Sequence, residues 1–225
     1  MSVTPEPGLG ARLLAVRAEF DDVYRFGFAK LLSATGGRAR LVHYLTETWH
    51  YVRFSVPLLE RAAARIDDDL HDLRAWFERH VAEEKGHDDW LLDDLERLGV
   101  SRVTVRTSLP SRETATLVGT QLWVLEALHP AALLGYVWSL ESRPPGTAGL
   151  DALAAAFDAP PEALSTLRAH GTMDPGHLAQ ILEVADGIPL GPVADRILWN
   201  ARIASAQAAD VVLGAAVRNL DIMPF

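Results

Sequence analysis

The sequence predicts an all-α fold, a single domain spanning residues 1–225 and built as a bundle of about seven helices. Apolar residues recur at three- and four-residue steps along most of the chain, the spacing of a buried helix face. Only one stretch, VSRVTVRTSLPS (100–111), has the β-branched content of a strand. Hydrophobic residues make up 49% and charged residues 23%, a globular balance that can bury those faces against one another.

The elements follow in order. Residues 9–34 read as one amphipathic helix ending before Gly36-Gly37. Residues 38–66 read as a second, with an apolar line through Leu45, Trp49, Val52, Val56, Leu59 and Ala63; Pro57 predicts a kink in it. Residues 68–99 form a third, closed by Gly99 as a C-cap. The 100–111 stretch is expected to be an extended connection. Residues 112–142 are helical with an interruption near Pro130, and RPPGTAG is a loop. A short helix at 150–157, the stretch LRAHGTMDPGHLAQILEVAD (167–186) and a final helix at 193–220 complete the bundle. No repeat, linker or low-complexity tract interrupts it.

Composition excludes several functions. The net charge is −9 and no basic stripe occurs, which argues against nucleic-acid binding and against an electrostatic membrane anchor. No run of about 18 apolar residues is present, and MSVTPEPGLG lacks the basic start and apolar core of a signal peptide, so a cytoplasmic location is expected. There is no cysteine. Disulfides, thiolate metal sites and a cysteine nucleophile are therefore excluded, and a transition metal would have to use His and carboxylates.

A carboxylate three residues before a His places both on one helix side, able to serve one ion. The pattern occurs five times, as Glu47/His50, Asp68/His71, Glu84/His87, Glu126/His129 and Asp174/His177. Random placement of these residue types gives about one match. On the third helix, Phe77, His80, Glu84, His87, Leu91, Leu95 and Leu98 share one face, apolar at its ends and ionisable in its middle. Burying that middle requires a compensating charge, and a metal ion supplies it; a mutual Glu84–His80 pair is the simpler alternative. Glu83, Asp88 and Asp89 fall off the line and are expected to be solvated.

The 167–186 stretch repeats the design: Leu167, His170, Asp174, His177, Ile181 and Val184 keep the same register across Gly171, Pro175 and Gly176. The alternative is that Asp174-Pro175 is an N-cap followed by the first residue of a new helix. The unbroken register favours one ligand face, with the Gly and Pro residues marking a bent or widened turn. Glu141 ends an apolar helix just before SRPPG, where the helix dipole disfavours a carboxylate, so either Arg143 or a metal must compensate it. His71 lies in a charged boundary and His129 beside a disturbed helix. Glu47 and His50 lie opposite the apolar line of their helix, and His43 reads as a surface or packing residue. Glu84, His87, Glu141, His170, Asp174 and His177 remain, more than one tetrahedral zinc needs and suited to two ions bridged by carboxylates.

In this order, HVAEEKGHDDWLLDDLERLG, ALLGYVWSLE and the H-x3-D-x2-H of HGTMDPGH resemble the haem-oxygenase-like di-iron oxidases and oxygenases, over roughly residues 38 to 187. The resemblance implies a haem-oxygenase-like seven-helix bundle, usually a homodimer. It implies that Glu84, His87, Glu141, His170, Asp174 and His177 bind two irons, the second held weakly, with His80 or Glu47 able to substitute or add. It further implies O2-dependent oxidation of a small molecule, commonly in natural-product biosynthesis, as amine or guanidine N-oxygenation or oxidative C–C cleavage of an amino acid or fatty acid, with an external electron donor where one is needed. Competing readings are a ferritin-like iron-handling bundle using Glu47/His50 with Glu84/His87, a metal-free oxidase of the same fold, and a helical interaction module. A thiaminase of this fold needs a cysteine nucleophile that the chain lacks. Trp49, Arg53, Trp123, Tyr136 and Trp138 are candidate pocket residues, with Arg53 placed to hold a substrate carboxylate, though large aromatics in a bundle more often serve the core.

Overall fold

The computed structural model describes residues 6–218, and every regular element among them is helical. The seven expected helices resolve into eleven α-helical segments, because three long ones are split and one connection is itself a helix. α1 (Leu9–Leu32) and α11 (Pro192–Val217) lie side by side and run in the same sense, since Glu19 pairs with Arg202 and Gly27 lies against Val212. α2 (Arg38–Val52) packs on α5 (His87–Arg97), α3 (Ser55–Ala63) on α4 (His71–Glu84), and α8 (Leu133–Glu141) on α11. α10 (Ser165–Asp186) touches α1, α4, α5 and α8. α6 (Arg102–Thr107), α7 (Arg112–Trp123) and α9 (Thr147–Ala156) fill the remaining positions. No helix among the described residues is long and apolar enough to cross a membrane.

The splits have local causes. A helix running through residues 38–66 would need a Pro57 N–H for the Arg53 carbonyl, and proline has none. The chain instead breaks at Arg53-Phe54 and restarts, so that Pro57 is the third residue of α3, where N–H groups have no intrahelical partner anyway. The 68–99 segment breaks at Lys85-Gly86, with Lys85 extended and Gly86 at φ 96°, a conformation that favours glycine. The expected extended connection at 100–111 is corrected: it holds α6, whose N-cap Ser101 accepts the Thr104 N–H at 3.1 Å. That cap outweighs the β-branched residues of the segment. In 112–142 a π-helical turn, Val124–Leu128, interrupts the helix just before Pro130.

α10 runs unbroken through Gly171, Pro175 and Gly176. Asp174 is a helical residue and not a cap. The turn stays α-helical, and the widened turn lies at Val124–Leu128 instead. The expected final helix at 193–220 is α11, which ends at Val217; residues 219 and 220 lie outside the described residues, as do residues 1–5 of the opening segment. Two buried apolar clusters result. One contains Leu58, Phe77, Leu133, Trp138, Ile181 and Ile197; the other contains Leu41, Leu45, Leu91, Leu95, Leu153 and Leu164. Residues of both line a cavity between them, and the buried His80, Glu84, Glu141 and Asp174 face it.

Candidate metal centre

Four helices supply the site. α4 offers His80 and its last residue, Glu84; α5 offers its first, His87; α8 offers its last, Glu141; α10 offers His170, Asp174 and His177. The whole Phe77-to-Leu98 face is buried although the helix breaks in its middle. The left-handed Gly86 turn lets the chain change direction between Glu84 and His87 and still keep both inside.

The side chains form two groups. Ligand atoms of His80, Glu84, Glu141 and His177 lie within 4.8 Å of one another, and so do those of Glu84, His87 and His170. Glu84 belongs to both. In the first group His80 Nε2 is 3.4 Å from Glu141 Oε1 and 4.0 Å from Glu84 Oε1, while His177 Nδ1 is 3.1 Å from Glu141 Oε2. In the second, His87 Nδ1 is 3.3 Å from Glu84 Oε1. Asp174 adjoins the second group through a 3.0 Å contact between Oδ1 and His170 Nδ1. The imidazoles of His80 and His177, and those of His87 and His170, meet edge to face with centroids 4.9 Å apart. Trp76 stacks on His80 at 4.6 Å and fixes that ring's plane.

The electrostatics fit a cation. Glu84, Glu141 and Asp174 are all buried. Burial pushes the Glu141 carboxyl up, but hydrogen bonds and charge from His177 and His80 overcome it and hold the pKa at about 2. Burial and the nearby Glu141 push Asp174 up to about 6, against the pull of His170. His170 is raised: burial lowers it, and Asp174 together with the charges of Glu84 and Glu141 more than reverses this. His177 is raised chiefly by its hydrogen bond with Glu141. Glu84 Oε1 and His87 Nδ1 are buried, close, and misaligned for a hydrogen bond, so both lack a partner. Leaving such atoms unsatisfied costs about 1–3 kcal/mol each. A metal ion between them removes that cost, and the mixed N/O donor set suits iron, manganese or zinc.

All six residues expected from the sequence therefore lie in one place, with His80 beside them. Glu83 is exposed, as expected, yet its carboxylate reaches back to 3.3 Å from His80 Nδ1 and 3.6 Å from His177 Nε2. The periodicity misses it because a helix face is read from where Cβ points, and a glutamate at the edge of the face can swing its oxygens across. Glu47 is buried elsewhere: Ser111, through its N–H and hydroxyl, and the Thr114 hydroxyl donate to it at the start of α7. His50 contacts Ser108 Oγ at 2.9 Å. Neither belongs to the two groups, so the Glu47/His50 arrangement of the ferritin-like reading is not formed. His71 is exposed, and His129 accepts the Ala131 N–H as a local cap. His43, expected on the surface or in packing, is buried.

A cavity of about 570 Å³ opens onto both groups. His80, Glu84, Glu141, His170 and Asp174 line its polar end, while Leu58, Leu91, Leu133, Val137 and the rings of Tyr44, Tyr51 and Tyr136 form its walls. Of the candidate pocket residues only Tyr136 lines it. Trp123 is exposed, Trp138 is core, and Arg53 lies over the Trp49 ring at 4.5 Å. The cations at the cavity are Arg17, Arg25 and Arg143 instead; Arg143 Nε is 3.2 Å from Asp21 Oδ1, its Nη2 donates to the Arg17 carbonyl at 2.7 Å, and it stacks on Tyr24. Arg143 thus faces Asp21 and does not neutralise Glu141.

No curated protein matches the chain. Several solved structures do. A domain of unknown function with a heme oxygenase-like fold from Shewanella denitrificans is 20% identical, over 94% of this chain and 96% of that one, with a TM-score of 0.81. A CADD-like protein of unknown function from Nostoc punctiforme is 16% identical, over 91% and 96%, with a TM-score of 0.71. A TenA homolog from Pseudomonas syringae is 12% identical, over 90% and 93%, with a TM-score of 0.66. At these identities the likeness establishes the fold, which is haem-oxygenase-like. The sequence profile described as "Iron-containing redox enzyme" matches residues 42–208, most of the chain. The protein belongs to that family of iron-containing redox enzymes.

Proposed function

We propose that this protein is a non-haem di-iron oxidase or oxygenase that uses O2 to oxidise a small molecule. The observation that carries the reading is the position of Glu84, shared by two ligand groups that border one cavity. Glu84, His87, Glu141, His170, Asp174 and His177 are the proposed ligands, with His80 as an addition. These residues would hold two ferrous ions, which when bound would supply the reducing electrons that O2 chemistry needs. The chain's own part is to fix the ligands and to keep bulk water out with the apolar and tyrosine walls. Asp174 Oδ1, 3.0 Å from His170 Nδ1, is placed to orient that ring.

The resemblance extends the proposal to a single-domain homodimer acting in natural-product biosynthesis, with an external electron donor where the reaction needs one. Its chemistry would be amine N-oxygenation or oxidative cleavage of a C–C bond in an amino acid or fatty acid. The test is anaerobic loading with Fe(II), followed by rapid mixing with O2. We expect about two irons per chain and a transient visible absorption that His170→Ala abolishes. Uptake of only stray metal, unchanged by Glu141→Ala and Asp174→Ala, would overturn the proposal.

A further inference from the structure

We propose that Glu83 is a positioning residue that fixes the ring tautomers of two imidazoles from different helices, and so decides which nitrogen of each is free to bind metal. The inference rests on the metal reading above. His80 and His177 sit on α4 and α10, their rings 4.9 Å apart. Each turns one nitrogen toward the buried carboxylates: His80 Nε2 toward Glu141 and Glu84, and His177 Nδ1 toward Glu141. Each turns its other nitrogen toward a single atom, Glu83 Oε2, at 3.3 Å from His80 Nδ1 and 3.6 Å from His177 Nε2.

A carboxylate only accepts hydrogen bonds, so His80 Nδ1, at 3.3 Å, is the N–H donor to Glu83, while His177 Nε2, at 3.6 Å, lies just beyond that reach and is drawn to the same oxygen by charge. Without metal His177 Nδ1 also faces a carboxylate, Glu141 at 3.1 Å, and that inward contact is the one a metal ion would replace; in the neutral ring that then remains, the inward nitrogen carries the lone pair. Glu83 thus sets the Nδ1–H form of His80 by a hydrogen bond and favours the Nε2–H form of His177 by its charge, and both lone pairs then point to the Glu141 side. Without it, each neutral ring is free to put its proton on the inward nitrogen and block ligation. Glu83 also ties α4 to α10 across the site. Its half-exposed position, 42% for the side chain, allows it to change without loss of core packing. Carboxylates that orient a metal-bound imidazole typically contribute about 10–100-fold to metal affinity.

The experiment uses the full chain, with Co(II) as a spectroscopic probe added anaerobically. Glu83→Ala, Glu83→Gln and, as a control at an exposed glutamate of the same helix that faces away from Glu83, Glu78→Ala are compared by calorimetry, visible spectra and proton NMR. Wild type and Glu78→Ala should bind two ions and show exchangeable, paramagnetically shifted imidazole N–H signals from the site, two of them from His80 and His177. Glu83→Ala should weaken one ion by about 10–100-fold, alter the visible bands, and lose those signals to solvent exchange. Glu83→Gln, whose amide oxygen still accepts one hydrogen bond, should fall between. If wild type binds two ions and both Glu83 variants match it in affinity, bands and N–H signals, the role of Glu83 is overturned and the di-metal reading stands. If wild type binds none, the di-metal reading fails, and this inference with it.

Discussion

At the scale of single residues, the histidines divide by what surrounds them. His80, His87, His170 and His177 face carboxylates, whereas His50 is buried with Nδ1 unpartnered and Ser108 on its other nitrogen. Burial, and then the charge of Arg53, hold its pKa at about 4, against the pull of Glu47. The sign follows from linkage. The unfolded chain takes up a proton near the ordinary histidine value of about 6.5, while the native protein refuses it until about 4. The stability that a neutral His50 contributes is therefore complete above pH 6.5 and is lost as the pH falls toward 4. Urea unfolding of the metal-free protein should show wild type losing stability faster than His50→Gln between pH 6.5 and 4. Parallel curves for the two would remove His50 as the titrating group.

At the scale of elements, the ligand faces were legible because they repeat one device, an ionisable centre between apolar ends at three- and four-residue steps. That register placed His80, Glu84, His87, His170, Asp174 and His177 inside, and all but the partly buried His170 are fully enclosed. It could not show the break at Gly86, since a single left-handed residue leaves the periodicity on either side intact. It misjudged α6, where Val103, Thr104, Val105 and Thr107 suggest strand and one serine cap decides for helix. Nor could it show how close two helices come. Gly135 of α8 sits where a Cβ would lie 2.3 Å from the Ile197 carbonyl oxygen and 2.6 Å from the Ala201 nitrogen, both backbone atoms of α11. Backbone cannot rotate away, so α8 and α11 must separate to admit a methyl group. Gly135→Ala should destabilise the protein by about 3 kcal/mol, read as a lower urea midpoint with an unchanged slope. Because α8 ends in Glu141, the same variant should also weaken metal binding. A substitution within about 0.5 kcal/mol of wild type would mean the two helices are not held at this distance in solution.

At the scale of the whole molecule, the site lies where two apolar clusters meet, and its ligands come from four helices, α4, α5, α8 and α10. Each cluster is stabilised by its own burial. The seam between them holds three buried carboxylates, Glu84, Glu141 and Asp174, whose charge the neighbouring histidines offset only in part, since Glu141 still pushes Asp174 up. A bound cation reverses the sign of that seam and joins the four helices through one centre. An ion that binds only the folded chain stabilises it by about 2.7 kcal/mol at a free concentration of 100 times Kd. For a chain of 225 residues, each kcal/mol corresponds to about 2–4 °C in Tm. Anaerobic Fe(II) or Mn(II) at that excess should therefore raise Tm by about 5–11 °C, and a chelator should return it to the metal-free value. Mg(II), which prefers oxygen ligands and keeps its waters, should do little. Glu84→Ala, which takes one carboxylate from both ligand groups, should remove most of the rise while leaving the metal-free Tm equal or higher, because one of three repelling charges is gone. An equal metal-dependent rise in Glu84→Ala would mean that the ions bind outside this seam.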